Sequence, residues 1–167
     1  IEFPRSIDQR ELSPRIEQER NGKLAWVLSP GFFNGWLQMG AMERLEELGL
    51  SPDLVVGSSI GTYVGIIPAT KLTKERLREM AEDYDIRVAK GKGFMNRGFF
   101  SSKRGMELIE RNFPGLSFED LPVPFYMVLT RLRDYQPVVV SEGPVLPAME
   151  AGVAHPLFFP PVRVDGV

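Results

Sequence analysis

Residues 57–61 read Gly-Ser-Ser-Ile-Gly, between the apolar run Asp53-Leu-Val-Val-Gly57 and a second one, Thr62-Tyr-Val-Gly-Ile-Ile67. The first run has the length of a buried strand and the second suits a helix. A strand that turns sharply into a helix with serine at the apex is an elbow that presents a nucleophile. Side chains at 57 and 61 would crowd a turn strained enough to expose the Ser59 hydroxyl. The helix that follows points its N-terminus at the serine, so backbone N–H groups face any negative charge that develops there. The same five residues also suit a strand-to-helix turn without chemistry. With 16 glycines in the chain, a chance match is no rarity. The neighbouring segments have to decide.

Upstream, Lys23-Leu-Ala-Trp-Val-Leu-Ser29 is a second short apolar run, followed by the turn cluster Pro30-Gly31-Phe32-Phe33-Asn34-Gly35. Residues 36–48 then read as an amphipathic helix, with Leu37, Ala41, Leu45 and Leu48 on its inner stripe. Gly49 is placed to end it, and Pro52 lies just beyond. Strand, helix, strand, helix in this order predicts a βαβ unit with parallel strands and a right-handed crossover. Ligands of such sheets bind outside the carboxyl ends of the strands, so loop 30–35 and the Ser59 elbow should be neighbours. That adjacency gives the loop a role, because an acyl-transfer serine needs backbone donors aimed at its oxyanion. Pro30 has no N–H, which leaves Gly31, Phe32 and Phe33 as candidate donors. A plain βα connection is the alternative reading of the loop, and Ser59 beside it favours the oxyanion role.

The remaining segments frame this pair. Residues 1–22 carry many charges and several breakers, and read as an arm outside a single domain spanning 23–167. Residues 71–86 predict a surface helix capped by Thr73. From 87 to 104 every charged residue is basic, with loose glycines and Phe94, Met95, Phe99 and Phe100 interleaved. Two readings stand for this stretch: a flap over the site that touches lipid chains and a membrane surface transiently, or a loop whose aromatics fill the core. A helix from Ser102 to Asn112 follows, then strands over 124–130 and 136–140 and a short helix over 146–151. Phe158 and Phe159 suit either an acyl pocket or the core. The net charge of −2 gives no global attraction to nucleic acid. There are no cysteines and one histidine, which excludes thiol catalysis, disulfides and multi-histidine metal sites. No apolar run reaches the roughly 18 residues of a membrane span, and no leader begins the chain; the default expectation is a cytoplasmic protein.

The stretch from Leu28 to Gly49, followed by Asp53-Leu-Val-Val-Gly-Ser-Ser-Ile-Gly61, resembles the patatin-like phospholipases. That family opens with a strand, a glycine-rich oxyanion loop, a helix ending in Leu-Glu-Glu-x-Gly and a Gly-x-Ser-x-Gly elbow. Phe118-Glu-Asp-Leu-Pro-Val-Pro-Phe125 resembles its lead into a central strand. Residues 147–162 resemble its Ala-Ser-x-x-x-Pro-x-x-Phe-x-Pro-Val segment. The likeness runs in order over about residues 23 to 167. It implies an α/β three-layer sandwich with a largely parallel central sheet. It further implies hydrolysis of carboxylic, lipid acyl esters by a serine–aspartate dyad, with Ser59 as nucleophile, Gly31, Phe32 and Phe33 at the oxyanion hole, and no metal or organic cofactor. Phe94, Phe99 and Phe158 are the residues placed against an acyl chain, and a lipid or other acyl ester is the expected partner.

Some positions depart from the family pattern. Its usual three glycines and arginine are Pro30, Gly31, Phe32 and Asn34 here, which resembles a bacterial branch with Pro-Gly-Phe-Phe. Where the central strand ends Ala-Thr-Asp, this chain has Leu129-Thr130-Arg131, and Gly152 stands where serine is common. The family's catalytic aspartate lies in Asp-Gly-Gly or Asp-Gly-Ala. By spacing, Asp165 in Pro161-Val-Arg-Val-Asp-Gly166 is the Asp-Gly that precedes it, so the acid is expected beyond Val167; Asp165 is the candidate within the chain. His155 is the sole histidine for a triad, and before Pro156 it reads as a packed loop residue. That favours a dyad, in which the carboxylate takes the serine proton directly. Two alternatives remain: a degenerate interaction module of the same fold, and an acyl transferase sharing the elbow. The transferase would want histidine where Ser58 stands.

Overall fold

Strand and helix alternate along the first half of the chain, as the apolar runs predict. The computed structural model of the protein describes residues 22–31, 34–73, 102–155 and 160–164. Strand β1 (Ala25–Leu28) leads into α1 (Asn34–Glu47), and β2 (Leu54–Gly57) into α2 (Ile60–Ala69). After α3 (Ser102–Asn112) comes a single 3-10 turn, Phe118–Asp120, then β3 (Phe125–Arg131), β4 (Gln136–Val140) and α4 (Val145–Val153). Spatial order follows chain order: β1, β2 and β3 run parallel, and β4 closes antiparallel on β3. The fold is therefore mixed α/β, with a mostly parallel sheet flanked by helices. The β3–β4 connection is too short for anything but an antiparallel return. Its turn places Tyr135 at φ 57° and is bracketed by Arg131, whose Nε and Nη2 donate to Asp134 at 2.9 and 2.7 Å. The pairing holds the Arg131 guanidinium above its ordinary value and the Asp134 carboxyl below its own.

Alternation along the strands sorts side chains onto two faces. Trp26, Val55 and Phe125 stand in register on one face, and Leu28, Gly57 and Met127 follow one step on. All of these are buried. Helix α2 lies against that face. It is apolar nearly all round, which suits a helix with neighbours on several sides. A Cβ added at Gly65 would come 2.6 Å from Phe125 Cζ, one added at Gly35 of α1 would meet Ile60 at 2.8 Å, and one at Gly152 of α4 would meet Thr62 at 2.8 Å. The opposite face of the sheet is open at Val27 and Val139, 73% and 58% exposed.

Helix α1 corrects one expectation. Its inner side runs through Gly35, Met39, Met42 and Leu45, whereas Ala41 is exposed and Leu37 is 74% exposed. This helix carries apolar residues on more than one side, so periodicity alone does not choose between them. The choice falls to Gly35, the residue small enough to seat α1 on Ile60 and Val64. Residues 74–86 of the expected surface helix, and the basic stretch from 87 as far as Ser101, lie outside the described residues.

The segment before β3 is pinned to the turn before α4. Phe118 N–H donates to Gly143 O and Val145 N–H to Leu116 O, each at 3.0 Å. Glu119 accepts from Gly143 N–H at 2.9 Å and from the Ser117 hydroxyl. The Ser117 bond first, and the Gly143 bond second, hold the Glu119 carboxyl below its ordinary value.

The two faces of the sheet should answer differently to mutation. Phe125→Ala removes a fully enclosed ring and is expected to cost about 3–5 kcal/mol. Val139→Thr, on the open face, should stay within about 0.5 kcal/mol. Urea unfolding of both variants measures the contrast, and equal losses would contradict a core confined to the helix-covered face.

Candidate active site

The turn between β2 and α2 holds Ser59 at φ 52°, ψ −121°, a conformation that costs a non-glycine residue on the order of 1–3 kcal/mol. Hydrogen bonds on every side hold it there. Ser58 N–H donates to Leu28 O at 3.1 Å, Gly61 N–H to Ser58 O at 2.9 Å and Thr62 N–H to Ser59 O at 2.9 Å. The Thr62 hydroxyl donates to the same Ser59 carbonyl at 2.7 Å, and Thr62 is wholly buried. Serine at the start of a helix ordinarily accepts from the first-turn N–H groups. The Ser59 side chain makes no such capping bond.

The two flanking glycines are dictated by backbone. A Cβ at Gly61 would strike the carbonyl of Leu28, and one at Gly57 would strike the carbonyl of Gly61. Neither obstacle is a side chain that can swing away. Gly31, in the loop after β1, has φ 127°, a region that disfavours any side chain, and its carbonyl accepts from the N–H of Asn34.

The sheet brings the two loops together. Leu28 and Gly57 are register partners in parallel strands, so Ser29, Pro30 and Gly31 leave the sheet beside Ser58 and Ser59. All three loop residues are exposed. Strand β3 reaches the same edge, since Met127 pairs with Gly57 and Leu129-Thr130-Arg131 continue past it. Arg131 there is engaged by Asp134.

Of the residues singled out from sequence, Ser59 and Gly31 therefore adjoin at the carboxyl edge of the sheet. Phe32, Phe33, Phe94, Phe99, Phe158 and Asp165 lie outside the described residues. His155 is exposed rather than packed, because α4 ends at Val153 and the chain turns outward, with His155 N–H donating to Val153 O at 2.8 Å. Two polar side chains that the sequence reading passed over support the site. Thr62 is one, and its signal was present: a hydroxyl three residues after the apex can bond back to the apex carbonyl. Gln38 of α1 is the other, donating through Nε2 to Ser29 O at 2.9 Å. No sequence signal marks Gln38, because its partner lies nine residues back across a loop.

Residues 26–167 match the family described as "Patatin-like phospholipase". The chain belongs to that family. It is 27% identical to patatin-like phospholipase domain-containing protein 6 of Homo sapiens, across 96% of this chain and 12% of that protein. It is 25% identical to patatin-like phospholipase domain-containing protein 7 of Rattus norvegicus, with the same coverage. An uncharacterized NTE family protein of Mycobacterium tuberculosis is 24% identical, across 91% of this chain and 43% of that one. The chain thus spans less than half the length of each of these relatives. Among the described residues, no helix is long and apolar enough to cross a membrane.

Glycine substitutions separate the patatin elbow from ordinary helix positions. Gly61→Ala drives a methyl into the Leu28 carbonyl and should cost roughly 1–3 kcal/mol. Gly40→Ala, where nothing lies within 4 Å, should gain roughly 0.5–1 kcal/mol from helix propensity. Thermal unfolding of the pair checks this, and a neutral Gly61→Ala would show that the close approach is relaxed in solution.

Proposed function

We propose that the chain is a serine hydrolase of lipid acyl esters, with Ser59 as the nucleophile. One observation carries the reading: Ser59 sits in a strained, cross-braced turn, with its hydroxyl uncommitted to the helix start and an exposed glycine loop beside it. Strain retained in a well-braced turn is the mark of a site whose geometry serves chemistry. The patatin family and its phospholipase relatives supply the substrate class. Residues 23–167 are the proposed catalytic domain, with 1–22 as an arm.

The chemistry follows from the placement. Ser59 Oγ attacks the ester carbonyl carbon as a carboxylate takes its proton. The carbonyl oxygen becomes an oxyanion, met by Gly31 N–H and by the N–H of Ile60. As the first residue of α2, Ile60 has no intrahelical acceptor for its N–H. The intermediate collapses, the C–O bond breaks and the protonated carboxyl passes its proton to the leaving alcohol. Water then attacks the acyl-serine as the same carboxylate takes its proton, and collapse of that second intermediate breaks the bond to Ser59 Oγ, which takes the proton back as the free acid leaves. An aspartate completes the proposed dyad, and Asp165 is the candidate in this chain. Phe32 and Phe33 are further proposed oxyanion donors. Phe94, Phe99 and Phe158 are the proposed acyl contacts. The scheme uses no metal or organic cofactor.

The test is turnover of p-nitrophenyl butyrate together with labelling by a fluorophosphonate probe. Ser59→Ala should abolish labelling and lower turnover by on the order of 10⁴-fold. A folded wild-type chain that neither turns over the ester nor takes the label would overturn the hydrolase reading in favour of a binding module. The Pro30-Gly31-Phe32-Phe33 departure from a triple-glycine loop is the observation that favours that second reading. Acyl transfer to an added alcohol in preference to water would mark a transferase.

A further inference from the structure

We propose that Gln38 is a positioning residue for the oxyanion donor Gly31, acting through the Ser29 carbonyl. The inference rests on the hydrolase reading and adds the residue that aims its loop. Gln38 lies in the second turn of α1, and its Nε2 donates to Ser29 O at 2.9 Å and approaches Ser29 Oγ at 3.3 Å.

The orientation of this amide is set by chemistry. Ser29 O is an acceptor only, so the NH₂ must face it; turning the amide over would set two carbonyl oxygens against each other. That orientation leaves Gln38 Oε1 buried and, among the described residues, without a hydrogen-bond partner.

What the bond controls follows from the next residue. Holding the Ser29 carbonyl holds the plane of the Ser29–Pro30 peptide. The pyrrolidine ring then fixes φ of Pro30 near −65°. Only ψ of Pro30 remains between the clamped plane and the plane that carries Gly31 N–H. Past the donor, the Gly31 carbonyl is held by Asn34 N–H. Gly31 is therefore bracketed by two bonds from the same helix, one from the Gln38 side chain and one from the α1 N-terminus. An oxyanion donor stabilises the transition state only if it is aimed before reaction, and the Gln38 bond with the Pro30 ring supplies that aim without a rigid triple-glycine loop.

The experiment uses the full chain and two variants. Gln38→Met keeps the length and loses the donor. Gln38→Glu keeps the shape and, as a carboxylate, can only accept. The readouts are the rate of fluorophosphonate labelling of Ser59, kcat and KM for p-nitrophenyl butyrate, and the urea midpoint. Both variants are expected to label about tenfold more slowly and to lose about tenfold in kcat, with KM within about twofold, a fraction of the full loss of an oxyanion donor. Gln38→Glu should be no better than Gln38→Met although its volume is conserved. Wild-type labelling matched by both folded variants would overturn the positioning role while leaving the hydrolase reading intact. A rise in KM with kcat unchanged would overturn it too, by making Gln38 a substrate-binding residue. Failure of the wild type itself to label would remove the hydrolase reading and this inference with it. If Gln38→Met does not fold, Gln38→Glu alone decides by the same criteria.

Discussion

The carbonyl group of Leu28 joins the two halves of the candidate site. It accepts the Ser58 N–H, and its oxygen occupies the space that a Gly61 side chain would need. The last residue of β1 is thereby pressed against the first turn of α2, and the loop that leaves Leu28 emerges beside the Ser59 apex. If this contact opened, the loop after β1 and the elbow would separate. The glycines at 57 and 61 are the sequence's accommodation to it, since the obstacle is backbone in each case, of helix α2 at Gly57 and of paired strand β1 at Gly61, and packed backbone has nowhere to move.

A second layer of support keeps the contact closed. Thr62 is wholly buried and bonds the Ser59 carbonyl, and α4 presses close enough at Gly152 that a Cβ there would meet the Thr62 methyl. Phe125 fills the space beneath α2 and stacks at a tilt on Phe118, centroids 6.3 Å apart. Packing of β3 and α4 thus reaches the elbow through α2. The proposed nucleophile is held through its carbonyl by the Thr62 N–H and hydroxyl, and among the described residues no ion pair touches it. This suits a residue whose hydroxyl must stay available.

Much of this was legible in the residues, and the reason differs from element to element. Strands β1 and β2 and helix α2 announce themselves because short apolar runs between breakers have few other uses. The elbow was legible because five residues close together carry the whole constraint. Helix α1 was legible as a helix, but its inward face was not: Leu37 was expected inside and is 74% exposed. The packing partner, Ile60, lies outside any window along the chain, and Gly35 could dock where Leu37 could not. His155 was expected to be packed and is exposed, because the turn after Val153 is set by how α4 ends.

By itself, then, the sequence determined which segments form strands and helices, and that a serine stands at a strand-to-helix apex between two glycines. Those are local matters of hydrophobic run length, periodicity and steric need within a few residues. Tertiary structure alone decided which side of α1 faces inward, that Leu28 closes the elbow, and that Gln38 reaches the backbone of the loop after β1. A hydrogen bond from one helix to the carbonyl of another segment depends on the docking of whole elements, and docking is settled by the sum of many weak contacts across the core.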